Sequence, residues 1–362
     1  MQSPSVRHDP HGGAVAKSTA SGTSLTEVAA QLDRCLGLQD NSAGEKEALA
    51  LMATLIEDGT LLGFGKAQQV PKRLYTIEEL RLNQISTERL LSPEDKSLDF
   101  VRKLAQFAAV SGVSVLSYAN HWDAGQTIAA VLTIVFMFTL DQVANQGGGE
   151  ALVLDTLGRL LQPSYGKRVA LHESGHFLVA YLIGILPRAY TLSSLDTFRR
   201  YGVLNVQAGC QFCDEAFSQE VATGKLGSGS LDRYTCVALA GVVTEYLRFE
   251  QAEGGLGDVQ QIDGMYKALQ FSQKKADSEL RWAVLNTAQV LRRHPDLHDT
   301  LAEAMSRGGE RWVMHRCDRE APAVHPQHSM SHPLFVDKHQ REDGHCCARM
   351  HFPAVSEYPS VP

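Results

Sequence analysis

Two histidines and a glutamate have the types and the spacing of a metal-dependent hydrolytic site. The segment from His172 to His176 reads HESGH, an H-E-x-x-H pattern. Residues at i and i+4 lie on one face of a helix, so the two imidazoles can bind one metal ion together. Glu173 then lies close enough to take a proton from an attacking water. The pattern predicts a zinc hydrolase, and two histidines that merely belong to an apolar helix face are the alternative.

The surrounding sequence predicts a buried helix for this motif. Pro163 and Ser164 provide a start signal, and Gly184 and Pro187 provide an end. Between them, most side chains outside the motif are apolar. Burying two imidazoles and a carboxylate without partners is costly, and a bound metal ion removes that cost.

Two histidines leave a catalytic zinc ion one protein ligand short. The extended pattern with a third histidine fails, because Val179 and Leu182 occupy the places of its glycine and histidine. Two carboxylates remain as candidates. Glu245 lies in a helix predicted for Leu231–Glu250, and Asp258 follows a glycine-rich turn, where a helix dipole would favour it. An ordinary helix N-cap is the alternative for Asp258.

Three stretches resemble, in order and spacing, the peptidase domain of the FtsH-type membrane zinc proteases. They are RVALHESGHFLVA (Arg168–Ala180), LAGVVTEYLRF (Leu239–Phe249) and GGLGD (Gly254–Asp258). The family has H-E-A-G-H, then L-G-G-R-A-A-E-E, then a glycine-rich turn that ends in an aspartate ligand. The resemblance extends over about residues 162–307.

The chain is most similar to the chloroplast FtsH-like proteins of plants and algae that lack the ATPase module. The segments Leu186–Leu195 and Ala252–Gly264 look like that subgroup. This resemblance implies a plastid protein that works in or on a thylakoid or envelope membrane. The N-terminal 24 residues contain two basic residues and a single acid, which is typical of a transit peptide, although an ordinary unstructured terminus has the same composition.

The resemblance also implies roles for individual residues. Zinc would be bound by His172, His176 and Asp258. Glu173 would be the catalytic base, and Glu245 would hold the ligand side chains in position without binding the metal. The segment Tyr201–Gly209 corresponds to an edge strand that pairs with substrate, which makes the expected substrate-binding residues Gly202, Val203, Leu204, Asn205, Val206 and Gln207.

The chain departs from FtsH in having no recognisable ATPase module. A phosphate-binding loop needs G-x-x-x-x-G-K-[ST]. The nearest sequence, Gly12–Ser18, has Ala16 where the second glycine is required. We expect no ATP hydrolysis by the chain itself, and ATP dependence only through a partner such as an FtsH-type ATPase subunit.

Composition and patterning divide the chain into five regions. With 44% hydrophobic residues and a net charge of −7, the chain can bury a core and has no overall basic field for nucleic acid. The predicted regions are a disordered N-terminus (1–24), helices with a charged connector (25–98), two uncharged apolar segments (104–140), the zinc peptidase domain (150–309) and a disordered tail (310–362).

The apolar region consists of Leu104–Trp122 and Ala124–Leu140, which contain no Asp, Glu, Lys or Arg. A membrane-spanning helix needs about 20 apolar residues, and each segment is at or below that length. Two interpretations follow: a hairpin that crosses a membrane, or a buried helix pair that packs on the peptidase domain.

Seven cysteines, an odd number without a secretory signal, argue against a disulfide framework. Cys210 and Cys213 form a C-x-x-C pair, with His345, Cys346 and Cys347 as distant mates for a zinc clasp. Their spacing matches no standard zinc finger, so we expect two ordinary thiols and a solvated His-rich tail.

These patterns predict a mainly α fold with a short antiparallel β element at about Ala189–Gln207. The predicted activity is a zinc-dependent metalloendopeptidase: zinc activates a water, Glu173 takes its proton, and the water attacks a peptide carbonyl. The partner is a protein or peptide substrate, and a homo-oligomer is left open. The alternative function is a non-proteolytic FtsH-like assembly or chaperone-type subunit in plastid membranes.

Overall fold

The computed structural model describes residues 31–36 except 33, 42–91 except 60 and 62, 98–202 except 146, and 209–308. The predicted disordered termini, 1–24 and 310–362, lie outside the described residues. Within the described ranges the chain is mainly helical. The elements are α1 (Ser42–Glu57), α2 (Ile77–Leu82), α3 (Thr87–Leu91), α4 (Asp99–Ala119), α5 (Ala124–Ala144), α6 (Gly148–Leu161), α7 (Pro163–Ile183), β1 (Leu186–Thr191), α8 (Ser194–Tyr201), β2 (Gly209–Cys213), α9 (Glu215–Ala222), α10 (Ser228–Ala238), α11 (Ala240–Phe249), α12 (Leu256–Ala268), α13 (Gln273–Arg293) and α14 (Pro295–Ser306).

The motif helix α7 is the centre of the molecule. Pro163 occupies its first turn, and Gly184 ends it with a φ of +90°, as the sequence predicts. Almost every side chain after Lys167 is buried, because α6, α10, α11, α13, α14 and both strands pack against it. A helix that is apolar on all sides requires such enclosure.

The β element is a two-stranded antiparallel sheet in which Leu186 lies opposite Cys213 and Thr191 opposite Gly209. The antiparallel element is therefore confirmed, but its predicted bounds, Ala189–Gln207, are wrong. The first part of the connection forms helix α8, because the Ser193 hydroxyl accepts a hydrogen bond from the backbone N–H of Asp196 and caps a helix start.

The single helix predicted for Leu231–Glu250 is also wrong. The structure has two helices there, α10 and α11, which meet at Leu239 with φ −79° and ψ −11°. This ψ is less negative than in an α-helix and turns the chain. The two helices then contact α7 separately and place different residues at the histidines.

Helices α4 and α5 form an antiparallel hairpin that is attached to the rest of the chain at its base. The Asp141 carboxylate accepts hydrogen bonds from the backbone N–H groups of Gly149 and Glu150, and Arg102 forms an ion pair with Glu150. No residue of α5 is buried, so the buried helix pair that sequence patterning left open is not what the structure contains. Among the described helices, α5 is the one with the length and composition to cross a membrane.

Candidate metal centre

Three side chains from two helices converge at the centre of the molecule. His172 and His176 come from α7 and Asp258 from the first turn of α12, and all three are fully buried. Their candidate ligand atoms lie within 4.8 Å of one another. Asp258 Oδ2 is 3.3 Å from His172 Nε2 and 3.7 Å from His176 Nε2. Ligands of a tetrahedral zinc ion with bonds of about 2.0 Å are about 3.3 Å apart, so the cluster has the dimensions of a zinc site.

Hydrogen bonds on the far side of both rings select the tautomer that a metal requires. His172 Nδ1 lies 2.8 Å from Glu245 Oε1, and His176 Nδ1 lies 2.7 Å from the carbonyl oxygen of Val237. Both oxygens can only accept, so each Nδ1 carries a proton, and Nε2 is the ring nitrogen that each histidine directs at the cluster. Neither Nε2 has a hydrogen-bond partner among the described residues. A metal ion would satisfy both buried atoms, and the residues therefore fit zinc.

Glu245 supports His172 and is itself held from several sides. Its Oε2 accepts hydrogen bonds from the Arg168 guanidinium at 2.8 and 3.1 Å, and from the backbone N–H groups of Glu253 and Gly254. Burial would raise the pKa of Glu245, but its hydrogen bond to His172 and the charge of Arg168 lower it to about 2. With both oxygens engaged away from the cluster, Glu245 holds the His172 ring, and Asp258 completes the three side chains that could hold a metal ion.

The turn before α12 requires glycine at position 255, because of its backbone conformation and its close packing. Gly255 has a φ of +82°, and a Cβ there would lie 2.2 Å from Val242 Cγ2 and 2.9 Å from Asp258 Oδ2. No other residue combines that backbone conformation with so little space. The turn directs Asp258 toward the two histidines.

Glu173 lies beside the cluster and is also fully buried. Neither of its carboxylate oxygens has a hydrogen-bond partner within the described part of the chain. Burial raises the pKa of Glu173 to about 7, although the two neighbouring histidines oppose this rise. A carboxylate with a pKa near neutrality is suited to accept and return a proton.

Of the predicted substrate-binding segment Tyr201–Gly209, the structure describes Tyr201, Gly202 and Gly209, and of these three Gly209 lies in a strand, as the first residue of β2. Tyr201 is the last residue of α8, and Gly202 is its left-handed cap with a φ of +68°. Val203, Leu204, Asn205, Val206 and Gln207 lie outside the described residues. Strand β2 contacts α7, and its Cys210 thiol donates a hydrogen bond to the Glu173 carbonyl oxygen at 3.3 Å.

The cysteines of the described chain are free thiols. Cys210 and Cys213 are both buried on β2, and neither forms a disulfide. Burial, followed by the charge of Glu173, raises the pKa of the Cys210 thiol. The proposed mates of a zinc clasp, His345, Cys346 and Cys347, lie outside the described residues.

Three residues at the site were not singled out by the sequence. Arg168 anchors Glu245, Gly241 leaves room beside both Nε2 atoms, and His298 from α14 bonds to the motif helix. His298 Nε2 lies 2.8 Å from Ser174 Oγ and 3.0 Å from the Leu171 carbonyl oxygen. Burial lowers the pKa of His298 to about 4, so its ring is neutral near pH 7. No local sequence pattern predicts such contacts between distant segments.

Two substitutions distinguish the roles of Asp258 and Glu245. We expect Asp258→Ala to remove zinc from the purified protein, because it deletes one of three ligands. Glu245→Gln should still bind zinc, but with an affinity about 10- to 100-fold lower, because it changes only the residue that holds the His172 ring. Competition with a fluorescent chelator measures both affinities. Zinc retained in Asp258→Ala and lost in Glu245→Gln would reverse the two roles.

Comparison of the chain with protein-family models, curated proteins and solved structures gives no match. The chemistry of the chain is therefore inferred from its own residues. The residues that bear on it are the buried cluster of His172, His176 and Asp258, with Glu173 beside it.

Proposed function

We propose that the chain is a zinc-dependent metalloendopeptidase of the FtsH type that has no ATPase module of its own. The observation that carries this proposal is the pair of buried Nε2 atoms, on His172 and His176, that lack partners among the described residues and face Asp258 Oδ2. Glu173 adds a buried carboxylate to the same place. Two neutral imidazoles, one carboxylate ligand and a separate carboxylate base make up the residue set of a zinc peptidase.

Each residue of the site has a role in peptide hydrolysis. When bound, zinc supplies a Lewis acid that polarises a carbonyl and makes water more acidic. Glu173 takes a proton from the attacking water and returns it to the leaving amine. Glu245 and Arg168 hold the His172 ring in place, and the Val237 carbonyl holds the His176 ring.

One observation favours a second candidate, a non-proteolytic assembly or chaperone-type subunit. His172, Glu173, His176 and Asp258 are all 0% exposed. A polypeptide substrate can reach them only if covering segments move aside. In a non-proteolytic subunit, the same cluster would be catalytically idle.

The decisive experiment combines zinc quantification with digestion of casein, an unfolded substrate. We expect about one zinc ion per chain, cleavage of casein, loss of cleavage with a chelator and recovery with added zinc. One zinc ion per chain without cleavage of any unfolded substrate would favour the non-proteolytic subunit. Absence of zinc binding would reject the metalloendopeptidase.

ATP should have no effect on cleavage by the purified chain. The sequence contains no loop that can bind phosphate in the manner of an ATPase. We therefore expect equal rates of casein cleavage with ATP and with a non-hydrolysable analogue. A stimulation by ATP alone would contradict this prediction, unless an ATPase partner co-purifies, which mass spectrometry of the same sample reveals.

We further propose that the hairpin of α4 and α5 inserts into a plastid membrane. Helix α5 has 21 residues, about 31.5 Å at 1.5 Å per residue, which matches a hydrocarbon core of about 30 Å. Helix α4 has the same length but carries Asp99, Arg102 and Lys103 at its start, so its uncharged part is shorter. The exposed hydroxyls of Ser114, Thr133 and Thr139 each donate to the carbonyl four residues earlier. These groups therefore need no water, which is a condition for burial in lipid.

Carbonate extraction of chloroplast membranes tests the hairpin. We expect the wild-type chain to stay in the membrane fraction. Phe136→Arg should shift it toward the soluble fraction, because a charge near the middle of a span costs about 3 kcal/mol on insertion scales. The matched control is Leu82→Arg, at an exposed leucine outside the hairpin. Release of the wild-type chain by carbonate would exclude insertion, and its absence from chloroplasts would exclude the plastid.

A further inference from the structure

A groove of 530 Å³ lies on the surface formed by α3, α11, α13 and α14. We call it the arginine groove. It contains three guanidinium groups and an apolar wall, and the residues that define it are Arg89, Arg248, Arg292, Leu247, Leu291 and Pro295. Glu250 is the acidic residue among those that line it in the described chain. The volume falls within the range of pockets that hold small organic ligands.

Arg292 is the most informative of the three arginines. It is half-buried, and its guanidinium donates to the backbone carbonyls of Asn83 and Gln84 at 2.8 and 3.5 Å. Loss of solvent lowers the pKa of Arg292, and the charge of Tyr246 only partly opposes this. A partly desolvated cation whose described partners are neutral carbonyls would gain from an anionic ligand.

The other two arginines complete a cationic rim. Arg248 forms an ion pair with Asp299 and donates to the Pro295 carbonyl, which holds its guanidinium at the edge of the groove. Arg89 lines the groove from the short helix α3. Guanidinium groups bind carboxylate and phosphate oxygens through paired N–H donors, which makes these anions the best-matched ligands.

We propose that the arginine groove binds a small organic oxyanion, a carboxylate or phosphate group carried on an apolar body, at a site separate from the metal centre. The guanidinium groups take the anionic end. Leu247, Leu291 and Pro295 take the apolar body. A polyanion without an apolar part would leave this wall exposed, and a neutral apolar ligand would leave the charges uncompensated.

The groove borders the motif helix through His298 and Thr244, of which Thr244 packs against Gly175. His298 lines the groove and also bonds to Ser174 and Leu171 of α7. A ligand in the groove therefore contacts a residue that holds the motif helix in place. This position is distinct from the cluster of His172, His176 and Asp258, which does not line the groove.

Calorimetric titration of the purified full-length chain tests the proposal with three probes. They are acetyl-leucyl-leucine with a free carboxylate, its C-terminal amide, and phenyl phosphate. We expect the free acid or the phosphate to bind at least about tenfold more tightly than the amide, because the amide lacks the charge. Preference for the acid or for the phosphate identifies the natural anion. Equal binding of all three probes, or binding of none, would overturn the proposal.

Substitutions of groove arginines test whether the probe binds in the groove. Arg89→Ala should lower the affinity for the preferred probe by about tenfold. Arg292→Lys should lower it by a similar factor although it keeps the positive charge, because lysine lacks the paired N–H donors of arginine. Arg81→Ala is the matched control: Arg81 is exposed, pairs with Glu78 and does not line the groove. Circular dichroism verifies that each variant is folded. An affinity that is unchanged in both groove variants means that the probe binds elsewhere, which rejects the proposal.

Discussion

Glu173→Gln is expected to abolish casein cleavage while leaving zinc bound. Glutamine has nearly the same shape as glutamate but cannot take a proton from water, and loss of a general base costs about 10²- to 10⁴-fold in rate. Zinc should remain, because the proposed ligands are His172, His176 and Asp258 and do not include Glu173. The measurements are initial rates of casein cleavage and zinc content by mass spectrometry on the same preparation.

The same substitution should not destabilise the fold. In the wild-type protein, burial raises the pKa of Glu173 to about 7, so ionisation of this carboxylate near neutral pH opposes folding. Glutamine removes the charge, and we expect a melting temperature equal to or above that of the wild type. Glu88→Gln, at an exposed residue of α3, is the control for loss of one acidic group. Loss of zinc together with activity would instead make Glu173 a ligand.

The sign of the pH effect follows from the raised pKa. A carboxylate whose pKa is raised on folding binds protons more tightly in the folded state, so its contribution to stability is most favourable at low pH. That contribution decreases as the pH rises from about 4.5 toward about 7. The difference between wild type and Glu173→Gln in the metal-free protein should therefore widen over this range. Metal binding would reduce the difference by placing a positive charge beside the carboxylate.

The motif helix could be predicted from sequence because its signals are local. Pro163 and Gly184 mark its ends, and an apolar composition on all sides indicates burial. The pairing of His172 with His176 follows from helix periodicity alone. Helices α13 and α14 also have local start signals: the Ser272 side chain caps α13, and Pro295 lies in the first turn of α14.

The remaining features depend on contacts between distant segments. Helix α8 lies within the range predicted for the β element. A serine hydroxyl caps it, and such caps also occur in turns, so the sequence did not distinguish the two. From the residues alone, Glu245 and Asp258 were equivalent candidates for the third ligand. Arg168 separates them by engaging Glu245, and that contact joins residues 77 positions apart. The partner of His176 is a backbone carbonyl, which has no sequence signature.

Gly241 also lies against the two histidines, although a glycine within a helix gives no sequence signal of such a contact. It lies inside α11, where alanine would favour the helix by about 0.5–1 kcal/mol. A Cβ at this position would lie 2.2 Å from His172 Nε2 and 2.4 Å from His176 Nε2. These distances are close to a zinc–nitrogen bond of about 2.0–2.1 Å, so the added methyl group would compete for the space that an ion needs.

Gly241→Ala is therefore expected to remove zinc and all metal-dependent activity without deleting a ligand. Overpacking at the buried cluster should lower stability by about 1–3 kcal/mol, which a thermal melt of the metal-free protein measures. Gly264→Ala is the matched control, because Gly264 also lies within a helix, α12, and a Cβ there meets nothing within 4 Å. That control should keep zinc and melt at the same or a slightly higher temperature. If Gly241→Ala binds zinc as tightly as the control, the two Nε2 atoms do not bind an ion at this place, and the metal site must be assigned to other residues.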